Sequence, residues 1–283
     1  MILPELPDYL SSLGGGAYKG LIISLFTITA MISRPFSGKL ADKIGRVPVM
    51  IFGPLVCVVC SLLYPVISSV AGFLLLRLVH GFSTGFKPTG QSAYLSDVIP
   101  ATRRGEAMGL LGTAGSIGMA AGPAIGAPIA LHYGLDVMFY CSSLLAMLSI
   151  IILWGVRETV PVRERFRPHH LKITVHDLFE PRVVTPCVVM LLSTYAYGAT
   201  FTLLPDFGEF AGIKNKGLLF TYLTASSLLV RLVGGKASDK WGRKPVLQCS
   251  MLLMACAMLV IGTATSALQL IIGLVLYGFS QGI

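Results

Sequence analysis

Runs of about twenty mostly apolar residues, parted by short charged loops, leave this chain few ways to fold. They occupy 18–37, 47–67, 70–95, 106–132, 135–156, 183–204, 217–235 and 245–265, and another begins near Leu268. About 20 apolar residues as a helix cross the hydrocarbon of a bilayer. The strands of an outer-membrane barrel would alternate with period two, and these runs are continuous. With 54% hydrophobic and 12% charged residues, the chain is too apolar for one soluble core. The expectation is an all-α membrane protein with eight full spans and part of a ninth. No cleavable leader is legible at Met1, where Leu3-Pro4-Glu5-Leu6-Pro7-Asp8 is polar and broken by proline.

The loop Gly38-Lys39-Leu40-Ala41-Asp42-Lys43-Ile44-Gly45-Arg46 returns as Gly235-Lys236-Ala237-Ser238-Asp239-Lys240-Trp241-Gly242-Arg243, 197 residues on. At the same spacing Lys19-Gly20-Leu21 meets Lys216-Gly217-Leu218, Arg34 meets Arg231, Pro48-Val49 meets Pro245-Val246, and Gly81-Phe82-Ser83 meets Gly278-Phe279-Ser280. Two copies of one unit, each made of apolar segments, are the sequence trace of a transporter with its solute path between structural repeats.

A net charge of +9 in a soluble protein would suggest nucleic acid, but here the basic residues sit in short loops beside apolar runs, where they set topology. Alternate loops hold Lys39, Lys43 and Arg46, then Arg103 and Arg104, then Arg157, Arg163, Arg165, Arg167, Lys172 and Arg182, then Lys236, Lys240, Arg243 and Lys244; the opposite side has Lys214 and Lys216. Lysine and arginine gather on the cytoplasmic side, so Met1 is expected outside and the repeated loops inside. The polar stretch 157–182 reads as a cytoplasmic linker between an N-terminal half at 1–156 and a C-terminal half at 183–283. The six cysteines lie in apolar runs, with neither disulfide nor zinc spacing in a wet site, and the CxxC of Cys57 and Cys60 is read as accidental.

The repeated Gly-x-Leu-Ala-Asp-Lys-x-Gly-Arg pattern resembles the signature loop of the major facilitator superfamily, and the span count and central basic linker fall where that twelve-helix family has them. The resemblance implies a two-half helical bundle with a pseudo-two-fold repeat, about nine of twelve helices being present. One span is expected before Met1 and two after Ile283. It also implies a gating role for Gly38, Asp42, Gly45 and Arg46, and for Gly235, Asp239, Gly242 and Arg243. In the family this loop locks the outward-facing state against the eleventh helix. Physically, the glycines permit a tight turn and close approach, and Asp42 suits a helix N-terminus or an arginine. An ordinary positive-inside turn explains the basic residues but not the repeated aspartate and glycines.

Arg77-Leu78-Val79-His80-Gly81-Phe82-Ser83-Thr84-Gly85 resembles the family's fourth-helix motif, where proton coupling is placed. Inserting an arginine mid-span costs at least ~2.5–3.5 kcal/mol, so Arg77 should face the bundle interior and find partners. A structural arginine bound to backbone carbonyls is the competing reading. His80 stands where the family often has glutamine, and whether it titrates or only hydrogen-bonds stays open. Gly118, Gly122, Pro123 and Gly126 resemble the fifth-helix motif of proton-coupled exporters, with Ala127 in place of the last glycine; a small-residue packing face is the plainer alternative. Lys87, ten residues past Arg77, is expected on the cavity side or snorkelling to the interface. Gln91, Tyr195 and Tyr197 are candidate cavity residues, and tyrosines at span ends are equally interface anchors.

The sequence thus predicts a proton-coupled exporter of a small organic solute, resembling the drug and metabolite antiporters. A proton symporter importing a sugar or organic acid, or a truncated membrane protein without transport of its own, are the alternatives. No phosphate loop, metal triad or nucleophile constellation suggests an enzyme, and no cofactor is expected. The expected partners are the solute, protons and the lipid bilayer, with no nucleic acid. The expected state is a monomer, multi-pass in a bacterial inner membrane.

Overall fold

The computed structural model describes residues 2, 5–173, 181–210 and 216–282, leaving aside some of their side chains, that of Pro123 among them. Every long element is a helix, and no strand occurs among the described residues. A short α1 (Leu6–Ser12) precedes α2 (Leu21–Lys43), α3 (Arg46–Leu63), α4 (Val70–Val98), α5 (Arg104–Tyr133) and α6 (Leu135–Trp154). After a polar segment come α7 (Val184–Phe210), α8 (Lys216–Trp241), α9 (Arg243–Gly262) and α10 (Ala267–Gly282). The nine long helices among the described residues fall on the nine apolar runs. Part of the 157–182 linker, 174–180, lies outside the description.

Five stretches, Leu21–Lys43, Arg46–Val66, Ala101–Tyr133, Leu135–Trp154 and Arg243–Gly262, are long and apolar enough to cross a bilayer. Helices α4 and α8 are as long, with 29 and 26 residues. Their interiors hold Arg77 and Lys87 in the one and Arg231 and Lys236 in the other, which lowers their apolarity.

The repeated stretch is mostly helix, where the sequence suggested a loop. Helix α2 continues through Asp42 to Lys43, and α8 continues through Asp239 to Trp241. The turn itself is Ile44-Gly45 in one copy and Gly242 in the other. Gly45 has φ 129° and Gly242 has φ 90°, a region that a side chain disfavours and glycine enters freely. The duplicated glycine therefore answers a duplicated backbone requirement.

Contacts divide the chain into two compact units, Met1–Val98 with Ile117–Phe179, and Ile99–Ser116 with Glu180–Ile283. The first half of α5 thus groups with the second unit. In the first unit α4 packs on α2 and α3, and α6 packs on α3; in the second, α10 packs on α8 and α9. The repeat is visible in the register of these contacts. A Cβ on Gly81 would run into the Phe26 carbonyl and Thr29, and a Cβ on Gly278 would run into the Leu223 carbonyl and Ser226, the same positions 197 residues apart. Lipid removes the hydrophobic drive between spans, so such close small-residue packing carries much of the association.

Each unit has its own core. In the first, Leu6, Leu10, Ile22, Tyr64, Phe73 and Phe139 are fully buried, and Tyr64 stacks on Phe139 at 5.0 Å between ring centroids. In the second, Leu219, Leu270, Leu274 and Tyr277 are fully buried.

Replacing Gly81 or Gly278 by alanine should overpack these seams and cost about 1–3 kcal/mol each, read as a lower melting temperature in detergent. Gly118→Ala, whose Cβ would meet nothing within 4 Å, should leave the melting temperature level or slightly raised. Equal tolerance at all three sites would contradict the packing described.

Candidate functional site

Helix α4 carries Arg77 into the core of the first unit, where it is 2% exposed. Its Nε donates to the Ile22 carbonyl at 3.1 Å, and one terminal nitrogen donates to the Tyr64 hydroxyl at 3.3 Å. The guanidinium carbon stands 4.5 Å from the centroid of the Phe26 ring, close enough for cation–π attraction. Gly81 and Gly85, one and two turns further along α4, bring the α2 backbone close.

The chain of polar contacts continues to His80, 6% exposed. Its Nδ1 lies 3.2 Å from the Tyr64 hydroxyl and its Nε2 lies 3.5 Å from Cys57 Sγ. Tyr64 accepts from Arg77, and the tautomer of His80 sets which way its contacts with Tyr64 and Cys57 run. Arg77, Tyr64, His80 and Cys57 form one connected series of polar contacts, of which sequence reasoning found two members. Tyr64 and Cys57 carried no signal beyond lying in an apolar run.

The two copies of the repeated aspartate have different partners. Asp239 accepts from the backbone N–H of Gly105 at 2.8 Å and of Glu106 at 2.9 Å. These belong to the first turn of α5, whose N–H groups have no partner within the helix and whose dipole favours an anion. Gly105 and Gly235 meet backbone to backbone, so neither position has room for a Cβ. Glu106 pairs with Arg103 at 3.0 Å and lies 3.6 Å from Lys236. Asp42 instead pairs with Arg46, one turn on, and its side chain is 69% exposed. Arg46 also reaches Asp97 at 3.0 Å, which accepts from the Thr159 hydroxyl at 2.7 Å. Arg243, the counterpart of Arg46, is exposed, and Gly38, the counterpart of Gly235, faces open space.

After α6 the chain lies along the turn between α2 and α3. Glu158 accepts from the N–H groups of Arg46 at 2.9 Å and Val47 at 3.0 Å, capping α3, and from those of Thr159 and Val160. Burial alone would raise its carboxyl pKa; the four N–H groups outweigh it and hold the group below the usual carboxylate value. Glu164 pairs with Lys43 at 2.9 Å, its N–H donates to the Lys43 carbonyl at 2.9 Å, and it faces His170 Nε2 at 2.9 Å. The hydrogen bonds from Lys43 and then His170 lower its pKa to about 2. Glu164, His169 and His170 have ligand atoms within 4.8 Å of one another. Yet Arg167 N–H donates to His170 Nδ1, which leaves the ring proton on Nε2, the atom facing Glu164. The cluster is thus held as a hydrogen-bonded clasp.

The remaining predicted residues are scattered. The stem of Lys87 packs on Gly53 of α3, and its ammonium lies 3.5 Å from the Ser149 hydroxyl of α6. Gln91 is half-buried in the same unit. Tyr195 and Tyr197, in the second unit, are 79% and 37% exposed. On α5, Gly118 faces open space, Gly122 is half-buried and Gly126 is buried. Sequence reasoning overlooked Arg231 on α8, which donates to the Gly112 carbonyl at 2.8 Å and the Ser116 hydroxyl at 2.9 Å. Its pairing with Arg34 across the repeat was the available signal.

A family model described as Major Facilitator Superfamily matches residues 1–283. The chain is 28% identical over 299 residues to the multi-drug resistance efflux pump PmrA of Streptococcus pneumoniae, covering 100% of this chain and 73% of that protein. It is 25% identical to multidrug resistance protein 2 of Bacillus subtilis, over 89% of this chain and 66% of the relative. Among solved structures, the human organic anion transporter MFSD10 aligns with a TM-score of 0.75 at 21% identity, over 98% of this chain and 72% of that one. The proton:xylose symporter XylE also aligns with a TM-score of 0.75, at 14% identity, over 99% and 74%. At these identities the two structures share the fold.

The Glu164 clasp generates a pH prediction. Its carboxyl is held below its ordinary value of 4.5, so its stabilising contribution is complete above that value and is lost as pH falls through about 2. Carbon-13 NMR of labelled glutamate should show Glu164 titrating far below the other exposed glutamates, and Lys43→Ala should return it toward the ordinary range. A midpoint near 4.5 in the unaltered protein would contradict the clasp.

Proposed function

Since the chain belongs to the major facilitator superfamily, we propose that it exports a small organic solute in exchange for protons by alternating access. The 1–156 and 183–283 halves rock about the 157–182 linker. The repeated loops and the linker lie on the cytoplasmic side and Met1 outside, as the lysine and arginine bias supports. The observation that carries the reading is the Asp239 carboxylate on the first turn of α5. An anion on free N–H groups at a glycine contact is a bond that forms and breaks without rearranging either helix, as a gate requires. Export is supported by the multidrug efflux relatives and by the Gly118, Gly122, Pro123 and Gly126 pattern. The family is one of transporters, which are not enzymes.

Arg77 supplies the fixed charge of the coupling site. The repeat argues against a purely structural role for it. At 197 residues' spacing, Tyr64, Arg77 and His80 correspond to Ile261, Leu274 and Tyr277, all six of them buried. The position equivalent to Arg77 is therefore buried in the second unit with leucine in place of arginine. A positive charge beside a solute path lowers the pKa of a nearby carboxyl group and hastens proton release, and arginine keeps its charge throughout.

In proteoliposomes carrying an internal pH dye, solute addition should dissipate an imposed proton gradient. Arg77→Ala and Arg77→Leu, the latter imitating Leu274, are expected to insert and abolish this coupling, while Arg77→Lys keeps at most part of it. A normally inserted Arg77→Leu protein that still accumulates solute against its gradient would make the arginine a packing residue.

A further inference from the structure

The Arg231 side chain is half-buried within α8, eight residues before Asp239 and so about 12 Å along the helix from it. Its two acceptors, the Gly112 carbonyl and the Ser116 hydroxyl, are both neutral and both on α5. Ser116 itself donates to the Gly112 carbonyl at 3.0 Å. Glycines make room for the arginine: a Cβ on Gly112 would stand 3.0 Å from the guanidinium, and one on Gly109 3.0 Å from the Arg231 carbonyl. The acidic side chains of this seam are engaged elsewhere, Asp239 on the N–H groups of α5 and Glu106 with Arg103 and Lys236. Arg34, the counterpart of Arg231, is exposed, so the inward-held guanidinium is a feature of the second copy.

We propose that Arg231 is a switch residue for anionic solutes: α5 occupies it in the docked state, and the carboxylate or sulfonate of an organic anion takes it when α5 departs. The inference rests on the alternating-access reading above and adds the chemical class of the solute. Arginine cannot shed its charge, and a charge left without partners inside a membrane span is costly. When α5 leaves, it takes both neutral acceptors with it. An anion replaces them with charge-assisted hydrogen bonds, which are shorter and roughly twice as strong, and its two oxygens match the planar guanidinium fork. Solute binding and α5 docking then compete for one side chain. Occupancy by an anion itself biases the gate toward release, because a ligand shifts an equilibrium by its differential affinity for the two states.

The test is a distance distribution between spin labels carried by unnatural amino acids at the exposed positions 101 and 240, in nanodiscs. The probes are benzoate, octanoate and benzenesulfonate, each set against its neutral amide. At least one anion should raise the ratio of undocked to docked protein about tenfold, and the amides should leave it unchanged. Arg231→Gln should lose the anion response, and Arg231→Lys should keep a weakened one. Ser116→Ala, which removes one neutral acceptor, should open the resting state while preserving that response. A native protein that opens on a pH change yet ignores all three anions, or an Arg231→Gln protein that responds as the native one does, overturns the proposal alone. A label pair that never leaves its docked distance under any anion, amide or pH overturns alternating access and the proposal with it.

Discussion

A carboxylate on the open N–H groups of a helix start is the interaction on which the rest of this molecule depends. Asp239 makes it with Gly105 and Glu106 at the start of α5, and Glu158 makes it with Arg46 and Val47 at the start of α3. The first turn of a helix presents donors that its own ladder leaves unused, and the peptide dipoles add a partial positive charge there. A spanning helix can therefore be held at its end by one side chain, without a large apolar interface. That matters in a bilayer, where lipid offers apolar surface as good as any neighbouring helix. The second such bond is backed by Glu164 and Lys43; the first is backed by Arg231 and the glycine contact between Gly105 and Gly235.

The duplication separates what both copies of the fold share from what each copy has alone. Both copies keep the positive-φ glycine, at Gly45 and Gly242, and both keep the close approach at Gly81 and Gly278. Those are backbone requirements, and backbone requirements are shared. The chemistry is not shared. The first unit buries Arg77, Tyr64 and His80 where the second buries Leu274, Ile261 and Tyr277. Of the aspartates, Asp239 caps a helix, while Asp42 pairs with Arg46 in the open. One scaffold thus supports a charged centre in one copy and a helix clamp in the other.

Much of this was legible in the sequence, for reasons that can be stated residue by residue. Apolar runs fixed the helices because a bilayer leaves the backbone no other partner. Arg77 announced its burial by standing in such a run. The glycines of the turn announced themselves by recurring. What the sequence hid was which face meets which neighbour. The angle from Arg77 leaves Lys87 either on the cavity side or snorkelling to the interface. Its stem lies against Gly53 and its ammonium 3.5 Å from the Ser149 hydroxyl; a helix angle gives a direction but no neighbour. Arg231 stands out in the sequence only as the repeat partner of Arg34, because its contacts arise only when α5 and α8 come together. Glu158 sat in a linker read for its charge, and a cap 111 residues away along the chain leaves no local pattern.

Hydrogen exchange at the Gly105 and Glu106 amides measures the helix clamp directly. In the native protein these amides should exchange slowly, and Asp239→Ala should speed them by about tenfold or more, the loss of hydrogen bonds to a charged acceptor. Asp42→Ala should leave them unchanged. Equal exchange in the native and Asp239→Ala proteins would mean that the carboxylate does not hold α5, and the account of the gate would fall.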